Sequence, residues 1–196
     1  MEDFKVIVIT SPGYVEGEAG KIARLLEAGV DYVHIRKPDW SARDVLTLIE
    51  NIPYNMRCRL KLHGHFQLLD GITLGGVHLN GRNPSAPATA LAVSKSCHTL
   101  DEVEETVGHN YEYVTLSPIF DSISKPGYDA GFDLGTIAGK IHGKKVVALG
   151  GITPPQFLTL RQHEFVGAAL LGYIWNGDFE SALAGLRASL HENTQK

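Results

Sequence analysis

Short apolar runs recur eight times along the sequence, and segments with helical spacing separate most of them. Each run is rich in Val, Ile or Leu and is bounded by Gly, Pro or polar residues, which is typical of buried β-strands. The predicted strands are 5–10, 32–36, 59–63, 76–80, 91–96, 113–120, 146–149 and 166–171.

The segments between these runs carry apolar residues at helical spacing, together with residues that commonly begin a helix. Ser41 and Asp44 resemble a capping box at the start of the second helix, and Thr99 suits the N-cap of another. The other predicted segments are a helix at 16–28, a short helix or turn at 66–72, helices at 100–107, 133–141, 154–163 and 179–190, and a polar loop at 121–132.

This alternation of strands and helices predicts parallel βαβ units. Eight units in 196 residues predict an α/β protein built as a compact (β/α)8 barrel. We expect a single barrel domain over residues 1–196, because no linker, charge block or low-complexity segment divides the chain. A doubly wound open sheet is the alternative.

Polar side chains share one face of several predicted strands. Because alternate residues of a strand face opposite sides, His34 and Arg36 lie opposite Val33 and Ile35. Ligand sites of such barrels lie at the carboxyl ends of the strands. The residues expected to converge there are His34, Arg36, His63, His78, Asn80 and Ser117. A single histidine is usually a satisfied core residue, but burying several polar groups without a use is costly.

The tripeptide His63-Gly64-His65 also permits a metal site, with His34 or His78 as the third ligand. A carboxylate or a cysteine could complete such a site. No such residue obviously completes this one, so the sequence assigns no metal ligand.

A glycine pair ends the seventh predicted strand. The segment 145–155 is an apolar run that stops at Gly150 and Gly151 and restarts at Thr153 and Pro154, which suit a helix start. Glycine amides near a helix start form a fair phosphate site, because no Cβ keeps the ligand away. A tight strand-to-helix turn without a ligand explains the same pattern.

The composition and net charge bear on which classes of molecule the protein binds. A formal net charge of -4 gives no reason to expect nucleic acid or an anionic membrane as a partner. Two cysteines without metal-type spacing favour a reduced, cytoplasmic setting, and the start shows no signal-peptide pattern. No apolar run approaches the roughly 20 residues that span a bilayer. The sequence does not determine the oligomeric state, and it is compatible with a homo-oligomer.

Six short motifs, in this order and spacing, make the chain resemble the thiamine-phosphate synthases and their relatives, the thiazole tautomerases. They are His34-Ile-Arg36, Arg43-Asp44-Val-Leu, Gly76-Val-His-Leu79, Ser96-Cys-His-Thr-Leu-Asp-Glu102, Ser117-Pro-Ile-Phe120 with Lys125-Pro126, and Val147-Ala-Leu-Gly-Gly-Ile152. The resemblance runs from the first strand to the eighth. It implies a (β/α)8 barrel that binds a thiazole phosphate in thiamine biosynthesis.

The synthase reaction joins a pyrimidine-methyl diphosphate to the thiazole phosphate and releases diphosphate. The leaving charge is neutralised by basic groups and Mg2+. The resemblance implies that Arg36, Ser96 and Lys125 match diphosphate-binding positions. Backbone amides of strands seven and eight would hold the thiazole phosphate. The phosphate-binding candidates are Ser96, Ser117, Gly150, Gly151, Leu171 and Gly172, and the catalytic candidates are His34, Arg36, His63, His78 and Lys125.

The sequence departs from the synthase pattern where that pattern binds metal. Gly64 and Asn83 stand at the positions of the two aspartate ligands of Mg2+, and a neutral Asn is a poorer partner for a hard cation. Pro38 replaces a lysine of the pattern, with Lys37 one step away. Asp39 and Asp70 are the nearby acids that could substitute as ligands. We therefore expect Mg2+ to be weakly needed or not needed.

The tautomerases place a catalytic histidine on the sixth strand, where this chain has Pro118. His34, His63 and His78 are the nearest replacements as a proton shuttle. Three functions therefore stay open: a synthase, which the overall resemblance favours; an isomerase that uses histidine instead of metal; and a non-catalytic protein that binds or senses a thiazole or thiamine phosphate.

Overall fold

A computed structural model describes residues 4–121 and 131–194 of the chain. Eight parallel strands close into a barrel in sequence order, with β1 paired to β8, which confirms the predicted (β/α)8 fold. The strands are β1 Lys5–Ile9, β2 Tyr32–Ile35, β3 Leu60–Leu62, β4 Gly76–Leu79, β5 Val93–Cys97, β6 Val114–Leu116, β7 Val146–Leu149 and β8 Gly167–Leu170.

Helices follow most strands and cover the outside of the barrel. The α-helices are α1 Glu18–Glu27, α2 Ala42–Glu50, α3 Leu100–Glu104, α4 Leu134–Ile141, α5 Phe157–Gln162, α6 Gly172–Trp175 and α7 Phe179–Thr194. Short 3-10 helices lie at Tyr54–Arg59, Phe66–Asp70 and Pro154–Gln156. Ser41 and Thr99 cap α2 and α3 as predicted, since their side chains accept hydrogen bonds from the amides of Asp44 and Glu102.

The predicted alternation of strand faces is correct. Val33, Ile35, Leu60 and Leu62 belong to the large apolar core between strands and helices. A second, smaller apolar cluster fills part of the barrel interior; its buried members are Ile7, Ile9, Tyr113, Val147 and Ala169. The interior also holds buried polar side chains, among them His34, Lys61, His78, Ser94 and Thr115. The fold therefore directs one polar face of β2 to β6 into the barrel.

Several element boundaries differ from the prediction. Strand β6 ends at Leu116 rather than continuing to residue 120. Strand β5 begins at Val93 and runs to Cys97. Helix α6 and the 3-10 helix Tyr54–Arg59 were not predicted, since each is too short to show an apolar period. Most of the predicted loop 121–132 lies outside the described residues.

A buried ion pair lies inside the barrel near the amino ends of the strands. Lys61 donates to the Glu112 carboxylate, which also accepts a hydrogen bond from the Tyr32 hydroxyl at 2.6 Å. The Lys61 side chain is fully buried, and its ammonium faces the rings of Tyr32 and Tyr113 at 4.8 and 4.5 Å. This pair fills the interior below the histidines. Along the described parts of the chain, no helix combines the length and the apolar character needed to cross a bilayer.

Candidate functional site

A cavity of about 1100 Å³ opens at the carboxyl ends of the strands. Ten of the predicted site residues line it: Arg36, His63, His78, Asn80, Ser96, Ser117, Gly150, Gly151, Leu171 and Gly172. His34 does not reach the cavity surface, because it lies below the mouth with no exposed area. Lys125 lies outside the described residues. The fold thus brings nearly all the predicted positions to one place.

Two histidine rings, those of His63 and His78, form the floor of this cavity, and the buried ring of His34 lies beneath them. His34 lies on β2, His78 on β4, and His63 directly follows β3. The Nδ1 of His34 and the Nε2 of His63 are 2.8 Å apart, a hydrogen-bond distance. The rings of His63 and His78 stack with centroids 4.4 Å apart, and His34 lies 4.8 Å from His78. We call these three residues the histidine cluster.

Hydroxyl groups behind the cluster orient its rings. The Tyr113 hydroxyl is 2.6 Å from the Nε2 of His34, and the Ser94 Oγ is 2.8 Å from the Nδ1 of His78. If Tyr113 donates, the hydrogen-bond network places the His34 proton on Nδ1, facing His63. The hydroxyl partners of His34 and His78 therefore hold these two rings in place from deeper in the barrel. Ser96 accepts from or donates to the Nε2 of His78 at 2.9 Å, on the cavity side.

Burial keeps the histidine cluster neutral. Desolvation, followed by the neighbouring histidines, lowers the pKa of His34 well below its ordinary value, and burial lowers that of His63 in the same way. Burial lowers the pKa of His78 to about 3, with Lys61 as a second cause. Each ring therefore stays uncharged at neutral pH and offers one N–H donor and one nitrogen lone pair. The cluster can pass protons without holding a charge.

The two positions that match the magnesium ligands of the synthase pattern lie next to each other. A Cβ on Gly64 would meet the Asn83 Nδ2 at 3.4 Å. That Asn83 amide donates to the carbonyl of His63 at 2.9 Å, and Asn80 donates to the same carbonyl at 2.8 Å. Both asparagines therefore fix the backbone of His63. Mg2+ prefers carboxylate oxygens, and the residues at these positions do not fit it.

The described lining of the cavity contains no Asp or Glu side chain. Asp39 and Asp70 are exposed and do not line the cavity, so neither replaces the missing magnesium ligands within the described residues. Arg36, Lys37 and Arg82 do line it. Basic side chains at the mouth of a cavity attract an anionic ligand.

The Lys37 ammonium has a structural partner. It donates to both Glu18 oxygens, at 2.9 and 2.6 Å, and to the Gly13 carbonyl at 2.7 Å. Both side chains of the pair are almost completely buried. Burial raises the pKa of Glu18 and the bond from Lys37 opposes that rise. The pair ties the loop after β1 to the end of β2, which leaves Arg36 and Arg82 as the freer cations at the mouth.

The glycine pair after β7 is required by backbone packing as well as by any ligand. Gly150 and Gly151 both have positive φ, 97° and 66°. A Cβ on Gly151 would lie 2.3 Å from the Asp121 carbonyl oxygen, and one on Gly150 would lie 2.8 Å from the Pro118 Cα. No side chain fits at either position. The pair therefore holds the loop after β6 against the end of β7, beside the cavity.

Sequence reasoning missed several residues that belong to this region. Tyr113 and Ser94 orient His34 and His78 from below. His98 approaches Ser117, with Nδ1 and Oγ 3.3 Å apart, and Trp175 lines the wall while its indole donates to the Ile9 carbonyl. His98 and Trp175 lie in loops or short helices, where periodicity carries no signal.

The closed parallel barrel and its basic, histidine-floored cavity define a (β/α)8-barrel protein with a site for an anionic small molecule. The sequence pattern of one family, described as thiamine monophosphate synthase, matches residues 6–174. The chain belongs to this family.

Individual relatives agree with this assignment. The chain is 28% identical over 134 residues to a thiamine-phosphate synthase of Thermus thermophilus, covering 64% of this chain and 65% of that protein. It is 26% identical over 186 residues to a putative thiamine-phosphate synthase of Geobacter sulfurreducens, covering 88% and 87%. The crystal structure of a thiamine phosphate pyrophosphorylase from Bacteroides thetaiotaomicron is 32% identical, with a TM-score of 0.83 and 98% of both chains covered.

Proposed function

We propose that this protein is an isomerase-type enzyme of thiamine biosynthesis, which moves a proton on the ring of a thiazole phosphate. The observation that carries the proposal is the neutral histidine cluster on the floor of a basic cavity whose described lining holds no carboxylate. Imidazole rings that each offer one N–H donor and one nitrogen lone pair can carry a proton shift that needs neither a leaving group nor a hard metal ion. Family membership supports the choice of ligand.

In the proposed mechanism the phosphate is held at the glycine ends of β7 and β8, near Gly151 and Gly172, with Arg36 adding positive charge. This anchor places the thiazole ring over His63 and His78, which both line the cavity. One imidazole lone pair removes a proton from the ring, and an imidazole N–H delivers a proton to a second ring position. No atom is gained or lost.

The low pKa of these histidines requires the two transfers to be coupled. A free imidazolium is disfavoured in this buried position, because its charge is poorly solvated. Each ring therefore accepts a proton on one nitrogen as it releases one from the other. The hydrogen bond between His34 and His63 supplies a path along which the protons return to their starting positions.

The synthase reaction is the second candidate, and the relatives named as synthases favour it. Arg36, together with Lys125, would then neutralise the leaving diphosphate, and His63 would face the pyrimidine. This reaction needs strong stabilisation of the departing charge. The neutral pair Gly64 and Asn83 supplies none, which is why we place this candidate second.

The proposal predicts metal-independent isomerisation. We expect the protein to convert the non-aromatic tautomer of a thiazole phosphate to the aromatic one in EDTA, at a rate that added Mg2+ leaves unchanged. Near-ultraviolet absorbance follows the aromatic ring as it forms. In parallel, both synthase substrates are supplied and thiamine phosphate is quantified with Mg2+ titrated against EDTA.

Thiamine phosphate formation that stops in EDTA and returns with Mg2+ would identify a synthase and contradict the isomerase proposal. Loss of both reactions, with retained thiazole phosphate binding by calorimetry, would identify a binding protein instead. Heat-denatured protein at the same concentration is the control for spontaneous isomerisation.

The phosphate anchor is tested best on Gly172. This residue begins helix α6 and lines the cavity, whereas any side chain at Gly151 collides with the Asp121 carbonyl. We expect Gly172→Asp to weaken thiazole phosphate binding by about tenfold or more, because a second negative charge faces the phosphate. Isothermal titration calorimetry measures the change.

Gly172→Asn is the matched control, since it adds nearly the same volume without the charge. An equal loss of affinity in both variants would assign the effect to bulk. Unchanged affinity in Gly172→Asp would place the phosphate elsewhere.

A further inference from the structure

We propose that His34, His63 and His78 also form a binding site for a transition-metal dication of the Zn2+ type. One ring nitrogen of each residue lies within 4.8 Å of the other two. The residues come from three neighbouring strand ends, so the barrel itself holds them together. Three imidazoles with one open position form a known ligand set for zinc. The site uses other residues than the neighbouring Gly64 and Asn83 positions, and it goes beyond the proposed function.

The spacing of the nitrogens is close to what an ion requires. Tetrahedral Zn2+ with bonds of about 2.0–2.1 Å places ligand nitrogens about 3.4 Å apart. The His34 Nδ1 and His63 Nε2 are 2.8 Å apart, slightly closer than this, and no pair in the cluster exceeds 4.8 Å. Ion binding therefore requires the imidazole rings to rotate, because those of His63 and His78 now stack with an interplanar angle of 23°.

The second layer of contacts has the form that metal-binding histidines need. A ligating imidazole usually donates its other N–H to a fixed oxygen. The Nε2 of His34 faces the Tyr113 oxygen at 2.6 Å, which leaves Nδ1 for the ion. The Nδ1 of His78 faces the Ser94 oxygen at 2.8 Å, so its Nε2, now 2.9 Å from the Ser96 Oγ, would have to exchange that contact for the ion. Because hydroxyl groups can both donate and accept, Tyr113 and Ser94 can serve either the ion-bound or the ion-free cluster.

The donor set selects the kind of ion. Neutral imidazole nitrogens suit Zn2+, Co2+ and Ni2+, whereas Mg2+ and Ca2+ prefer oxygen ligands. With no Asp or Glu in the described lining, the cavity offers a hard ion few anionic oxygens. His63 and His78 line the cavity, so the open coordination position of the ion faces the small molecule bound in the cavity.

Titration of the metal-free protein tests this site without any assay of activity. The tag-free chain is treated with EDTA, desalted, and titrated with Co2+ while the visible d–d bands are recorded. Zn2+ is then titrated by calorimetry. We expect one ion per chain with intense Co2+ bands of low coordination number, and no saturable binding of Mg2+. Absence of saturable Co2+ and Zn2+ binding would overturn the proposal.

Variants separate this site from other histidines of the chain. We expect His63→Ala to weaken Zn2+ binding by at least about 100-fold, and Tyr113→Phe to weaken it by about tenfold through loss of an orienting contact. His98→Ala is the matched control, because His98 is a mouth histidine outside the cluster. Circular dichroism melts confirm that each variant is folded. Equal binding by His63→Ala and the parent protein would assign the ion to another site and overturn the proposal.

A second readout rests on the proposed function. A bound ion occupies the imidazole lone pairs that the proton shift uses, so stoichiometric Zn2+ should inhibit isomerisation and EDTA should restore it. Saturable Zn2+ binding without inhibition would keep the metal site and contradict the role of the cluster in proton transfer. Isomerisation by a protein that does not bind Zn2+ would keep the role of the cluster in proton transfer and contradict the metal site.

Discussion

Replacing His63 by glutamine is expected to reduce kcat for isomerisation of a thiazole phosphate by about 10²–10⁴-fold, the usual contribution of a general acid–base group. Glutamine keeps a polar atom near the His34 Nδ1 but cannot accept a proton and release another. KM should change little, because the phosphate anchor on β7 and β8 is untouched. Steady-state rates in EDTA buffer, followed by near-ultraviolet absorbance, measure both constants.

His142→Gln is the control for this experiment. Its side chain is 76% exposed beside Glu164, far from the cavity lining. We expect its rate to match that of the parent protein. If His63→Gln retains a kcat within tenfold of the parent value, His63 is not the proton-transfer group, and His78 becomes the residue to replace.

Replacing Glu112 by glutamine is expected to destabilise the fold by about 3–5 kcal/mol at neutral pH, because it leaves the Lys61 charge buried without its carboxylate. Urea unfolding measures the free energy of unfolding. Burial already lowers the pKa of Lys61, and Glu112 opposes that effect. Without Glu112 the pKa of Lys61 in the folded state falls further below the ordinary 10.5.

The sign of the pH dependence follows from that lowered pKa. Below pH 10.5 the unfolded chain binds a proton on Lys61 more readily than the folded variant does. The stability deficit of Glu112→Gln should therefore be largest near neutral pH and should shrink as the pH approaches 10. An equal stability deficit near neutral pH and near pH 10 would point to lost packing rather than to an unpaired charge.

Two further variants test whether burial of the Lys61 charge causes this loss of stability. Lys61→Met combined with Glu112→Gln removes the buried charge and should recover most of the lost stability, since apolar replacements of buried ion pairs are often neutral. Glu180→Gln breaks the ion pair between Arg24 and Glu180, whose side chains are 41% and 64% exposed, respectively. This variant should change the free energy of unfolding little. A loss as large as that of Glu112→Gln would contradict the role of burial.

Local patterns predicted the architecture and much of the site. Alternation along a strand is a property of the backbone, so Val33 and Ile35 on one face placed His34 on the other without any knowledge of the partners. Repeated strand and helix periods predicted the barrel, and a barrel brings strand ends together. The prediction that Arg36, His63, His78, Asn80 and Ser117 meet at one mouth followed from these rules, whereas Ser96 and Gly172 were predicted from the family resemblance.

Only the tertiary structure decided how these residues act on one another. Tyr113 meets His34 across 79 residues of chain, and Glu112 meets Lys61 across 51, because strand register and barrel closure fix contacts that no local period encodes. The neutral state of the histidine cluster depends on burial, which is a property of the packed interior.

The same distinction applies to the glycine pair and to Lys37. The sequence by itself determined that Gly150 and Gly151 end a strand, and that Lys37 lies one step from a family position. The structure decided that the glycines are required by the backbone at Pro118 and Asp121, and that Lys37 is held by Glu18. Short-range pattern fixes the face and the element of a residue, whereas its partners depend on packing between segments distant in the chain.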